Sequence, residues 1–96
     1  MSKKSRAIVK CQIMVSNIKA ANAEKFVTSL SPTLTLSNVA WVPGKRNQNK
    51  LMFEAVYGPV IGAYQSDVTA KVKRGLQKAG STAALQVLSC VRDVIQ

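Results

Sequence analysis

Between Arg6 and Asn17 apolar and polar residues alternate, with Val9, Cys11, Ile13 and Val15 on one side and Lys10, Gln12 and Met14 on the other. Successive side chains of an extended chain point to opposite faces, so this spacing predicts a strand with one buried face. Ala23, Phe26, Val27 and Leu30 then recur three and four apart, the repeat of a helix packed along one stripe. Asn22 is placed to cap its start, and Ser31-Pro32 stops it. Thr33 to Val42, rich in Thr, Val and Trp, reads as a second strand, and Leu51, Phe53, Ala55 and Tyr57 share one face of a third that ends at Gly58-Pro59. Helical spacing returns with Ile61, Tyr64, Val68, Val72, Leu76 and Ala79, up to Gly80 as a natural stop.

The tail from Thr82 to Gln96 admits two readings. Leu85, Val87, Ser89 and Val91 alternate as in a strand, whereas Ala84, Leu88, Val91 and Ile95 also fit a helix. The strand is preferred, because Val and Cys favour the pleated state and the first strand needs a partner. The chain is then strand, helix, strand, strand, helix, strand, the order of a ferredoxin-like βαββαβ sandwich. This is an α+β fold, a four-stranded antiparallel sheet with two helices on one face. By parity its inward residues are Cys11, Ile13, Val15, Leu51, Phe53, Ala55, Tyr57, Leu85, Val87 and Val91. Cys90 points outward on this count, which disfavours a disulfide with Cys11.

Two segments add a resemblance. Ile13-Met14-Val15-Ser16-Asn17-Ile18 resembles the first-strand hexapeptide of RNA recognition motif domains, and Lys50-Leu51-Met52-Phe53-Glu54-Ala55-Val56-Tyr57 falls where that family carries its basic, aromatic octapeptide. The resemblance implies this fold and an affinity for nucleic acid. It does not bring that family's stacking rings, since the exposed aromatic positions are held here by Met14, Met52 and Glu54.

Charge sharpens the expectation. Fourteen Lys and Arg against four Asp and Glu give a net charge of +10 on a chain of 96 residues. That surplus repels itself when folded and exceeds what solubility requires, so an anionic partner is expected, nucleic acid first. The cations fall in three groups: Lys3, Lys4 and Arg6 on a flexible basic arm (residues 1–5) and its junction with the domain at 6–96; Lys45, Arg46 and Lys50 in the hairpin 43–50; and Lys71, Arg74 and Lys78 at helical spacing. In the hairpin, Asn47, Gln48 and Asn49 carry amides able to reach base edges, and Trp41 just before it is either an edge residue or a stacking platform. The hairpin is read as a flexible finger on phosphates, and of the acids only Asp67 is placed to pair with the helical stripe, at Lys71.

Other chemistries find little support. With no His and two Cys among aliphatic residues, the chain offers no standard general base, no metal-ligand spacing and no supported nucleophile. The reading is not an enzyme, with no cofactor, no metal and no small-molecule substrate. No apolar run of about 18 residues is present to cross a bilayer, and the start lacks a signal-peptide core, which points to a soluble, intracellular protein, cytoplasmic or associated with nucleic acid, with no membrane partner. The expected function is a small basic protein binding nucleic acid, RNA rather than DNA, through phosphates. The alternative is an oligomeric structural or protein-interaction module, a homodimer or a viral or ribosome-like component, that associates through an apolar open sheet face at Met14, Met52 and Val56.

Overall fold

The alternation of the first segment forms strand β1 (Arg6–Ile18), with Ala7, Val9, Cys11, Ile13 and Val15 all buried. In the computed structural model, which describes residues 5–30, 32–80 and 83–95, it is followed by α1 (Ala20–Leu30), β2 (Thr35–Val42), β3 (Asn49–Ile61), α2 (Gln65–Lys78) and β4 (Ala84–Ile95). The strands form one antiparallel sheet in the order β2-β3-β1-β4, and the strand reading of the tail holds.

One face of the sheet carries the core. Phe26 and Leu30 of α1 and Val68, Val72 and Leu76 of α2 join Val9, Ile13, Leu51 and Phe53 in a single buried cluster. The rings of Phe26 and Phe53 meet edge to face, with centroids 5.8 Å apart. The helices approach closely at Gly75, where a Cβ would lie 2.8 Å from Leu30 Cδ2 and 3.4 Å from Phe26 Cδ1. A side chain at this position would require the end of the Leu30 side chain to shift.

Several boundaries differ from the sequence reading. α1 starts before Asn22, because the Lys19 carbonyl already accepts from the backbone N–H of Asn22 and Ala23, so Asn22 lies inside the helix rather than capping it. β3 runs on through Gly58-Pro59: Tyr57 pairs with Val9 and Val60 with Ala7, so these two residues oppose Ile8 alone in a bulge, where proline's missing N–H breaks no ladder bond. Ile61 therefore belongs to β3 and is exposed. Tyr64 precedes α2 and is exposed as well, while Ala63 takes the buried place expected of them. α2 ends as its spacing predicts, with Gly80 at φ 71.

The largest correction concerns β4. Gln12 pairs with Ser89 but Ile13 pairs with Val87, so Leu88 is an extra residue and the parity of the strand reverses there. Leu85 and Val87 face the core before the bulge. After it Cys90 turns inward, opposite Cys11, and Val91 turns outward, opposite Lys10, with 55% exposure. The expectation of Cys90 outward and Val91 inward is thus inverted.

Candidate nucleic-acid interface

The hairpin between β2 and β3 is tied together from within. Asn49 is buried at 7% exposure; its Nδ2 donates to the Ile18 carbonyl at 2.9 Å, and its Oδ1 accepts from the Gly44 N–H at 3.0 Å. Gln48 N–H closes a tight turn onto the Lys45 carbonyl at 3.0 Å. Gly44 is required here, since a Cβ would fall 2.1 Å from the Gln48 carbonyl oxygen. The reading of Asn49 as an amide free for bases is therefore corrected: it is buried, and its Nδ2 and Oδ1 both take part in holding the loop to the end of β1. These bonds buttress the loop from within.

That construction presents cations. Lys45 and Arg46 are exposed in the 3-10 turn at Lys45–Asn47, and Arg46 has φ 57, the left-handed region that a side chain with a Cβ rarely adopts. Lys50 is exposed on β3, paired across to Ser16 and Val42. Lys19 follows directly on Ile18, the residue that Asn49 holds, and is exposed too. Sequence reasoning missed Lys19 because it joins this group only through the pairing of β1 with β3. Lys3 and Lys4 lie outside the described residues, and the side chain of Asn47 is not described either.

Trp41 is only partly associated with the group. It pairs with buried Leu51 and so faces the helix side of edge strand β2, 38% exposed, whereas Lys50 faces the open side. Its neighbour in the strand, Val42, shares the face of Lys50.

The helical cations form a second group. Lys71, Arg74 and Lys78 line a shallow notch with Ser29, Thr33 and Gly75, at the close approach of the two helices. Lys71 is half-buried with its ammonium 4.9 Å from the centre of the Tyr57 ring, which fixes its stem, while Arg74 and Lys78 are exposed. The hydroxyls of Ser29 and Thr33 donate to the Lys25 and Leu30 carbonyls, leaving the cations to supply the notch's positive chemistry. The carboxylate expected to pair with Lys71 is engaged at the start of its helix instead, where Asp67 Oδ2 accepts the Tyr64 N–H at 2.8 Å and caps α2. Glu54 similarly accepts from Ser37 Oγ at 3.2 Å.

Arg6 belongs to neither group. It pairs with Ile61 and Ile95 at the far end of the sheet, twelve residues along β1 from Ile18, or about 40 Å at the rise of an extended strand. Arg92, also missed, is tied down there by its Nε donating to the Ala63 carbonyl at 2.6 Å and by the Tyr64 ring, 4.2 Å from its guanidinium carbon.

The open face of the sheet is striped rather than apolar. Met14, Met52 and Ala40 form one row, next to a polar row of Ser89, Gln12, Glu54 and Ser37, and then Val91, Lys10, Val56 and Thr35. Met52 is exposed, Met14 and Val56 are half-buried, and no ring stands among these positions. Among the described residues no helix is long and apolar enough to cross a membrane, and no three or more His, Cys, Asp or Glu come together as a metal site. Neither the family models nor the curated proteins compared with the chain give a match.

Proposed function

We propose that the protein binds RNA through its phosphates, using the buttressed loop with Lys19, Lys45, Arg46 and Lys50 as the principal contact and the Lys71–Arg74–Lys78 notch as a second. The sheet order and paired helices support reading the architecture as a ferredoxin-like sandwich. The observation that carries the function is the loop: an internal amide network holds a strained arginine and its cationic neighbours outward, with no carboxylate among residues 42–50. Strain of this kind costs about 1–3 kcal/mol and persists where the surroundings enforce it, often at contact sites. Pre-ordered cations lose less entropy when a phosphate arrives than a mobile finger would. The striped, ring-free open face argues for phosphate contact over base stacking.

The test is an anisotropy titration of labelled single-stranded RNA at several salt concentrations, beside duplex DNA and an acidic polypeptide of equal charge. Log K is expected to fall linearly with log salt, by about 0.7 for each phosphate contacted on a single strand. Equal affinity at low and high salt would remove the phosphate reading, and equal affinity for the polypeptide would remove the preference for nucleic acid.

A second reading, association with another copy, is supported at a different place from Met14, Met52 and Val56. Val60 and Val94, the partners of Ala7, and Ile61 and Ile95, the partners of Arg6, are all exposed at the far end of the sheet, where edge strand β4 also runs. Concentration-dependent light scattering that changes on Val94→Lys would support this reading.

A further inference from the structure

We propose that Cys11 and Cys90 are a disulfide-forming pair, so that β4 is clamped covalently to β1 in oxidising surroundings and held by non-covalent contacts alone in reducing ones. Both are free thiols in the structure. Three features of the fold bring them together. They are direct partners in the antiparallel register of β1 and β4. Such partners have Cα atoms about 4.5–5.5 Å apart, within the span of about 4.4–6.8 Å that a disulfide bridges. The bulge at Leu88 turns Cys90 to the same inward face as Cys11, and Cys11 Sγ lies 2.7 Å from Cys90 Sγ. Without the bulge Cys90 would face the open side.

The order of events follows from exposure. Cys11 is completely buried, and its thiol is pushed up to about 12 by burial first, then by the hydrogen bond and charge of Cys90. Cys90 is partly exposed and meets the oxidant first. With a low-molecular-weight disulfide such as oxidised glutathione, Cys90 gives its proton to solvent and attacks one glutathione sulfur, the glutathione S–S bond breaks, and one glutathione leaves as a thiolate that takes up a proton. Cys11 then gives its proton to solvent and attacks the Cys90 sulfur, expelling the second glutathione. Two protein thiols and one glutathione disulfide become one protein disulfide and two glutathione thiols, a two-electron oxidation of the protein. The register already places the attacking sulfur.

The bond would join positions 79 apart in the chain and fix an edge strand that has a single neighbour in the sheet. Closing so long a loop restricts the unfolded chain, so the oxidised form should resist urea to a higher midpoint than the reduced form.

The experiment is mass spectrometry of the native full chain after incubation with oxidised glutathione, followed by acid quench and alkylation. Wild type is expected to lose two hydrogens, retain no glutathione and yield a non-reduced peptide linking Cys11 to Cys90. Cys11→Ala is expected to keep one glutathione on Cys90, and Cys90→Ala to stay unmodified while folded. Wild type that carries glutathione on Cys90 with Cys11 still alkylatable would overturn the pairing. An oxidised form with the same urea midpoint as the reduced one would overturn the clamp. The wild-type arms need no variant to fold.

Discussion

Replacing Lys45, Arg46 and Lys50 together by alanine is expected to weaken binding to single-stranded RNA about 100-fold at about 0.1 M salt, and to reduce the salt slope by about 2. The figures follow from counterion release: at that salt each lost phosphate contact removes a factor of about 5, and three contacts multiply. All three side chains are exposed, and the bonds that hold the loop come from Asn49, Gly44, Gln48 and the Lys45 backbone, which the substitutions leave in place. Thermal unfolding should therefore be nearly unchanged, which separates lost contact from lost fold. Lys45→Arg with Lys50→Arg should keep most of the affinity, because phosphate responds to charge before identity. A triple-alanine protein with wild-type affinity and slope would exclude the loop from the interface.

The second large effect concerns the core. Phe26→Ala is expected to lower stability by about 3–5 kcal/mol, against a total of about 5–15 kcal/mol for a domain of ordinary stability. Phe26 is fully buried, meets the Phe53 ring edge to face, and lies against Gly75 where the helices approach. Its removal leaves a cavity between α1, α2 and the sheet together. Urea unfolding followed by circular dichroism measures the loss. A change below about 1 kcal/mol would mean that this junction is not packed as described.

The elements were legible because burial in the centre of the sheet is periodic. Val9, Cys11, Ile13 and Val15 alternate and are all buried, and Leu51, Phe53 and Ala55 repeat the pattern on β3. At the edge the pattern loses its meaning. β4 has a single neighbour in the sheet, so Leu88 can be an extra residue without disturbing a second strand pairing, and one bulge exchanges the roles of Cys90 and Val91. Apolar spacing likewise assigned Ile61 and Tyr64 to the core, although both lie where the sheet and its connection reach beyond the helices' cover.

The site was legible as charge but not as arrangement. Lys45, Arg46 and Lys50 stand together in sequence and remain together in space, as do Lys71, Arg74 and Lys78. Arg6 was grouped by the basic start of the chain, yet β1 carries it to the opposite end from the loop. Lys19 was passed over because only strand pairing makes it the loop's neighbour. Asn49 resembled its neighbours in composition; what distinguishes it is a long-range bond to Ile18, invisible in local sequence.

The central claim is that the ordered cationic loop is where the polyanion lands. Its most direct test is an amide-resolved NMR titration of the protein with a short single-stranded RNA at low salt. The account predicts the largest shifts at Lys19 and at residues 44–50, smaller ones at Arg74 and Lys78, and their collapse on adding salt. Shifts confined to Met14, Met52 and Ala40 on the open face, or shifts that survive high salt unchanged, would contradict it.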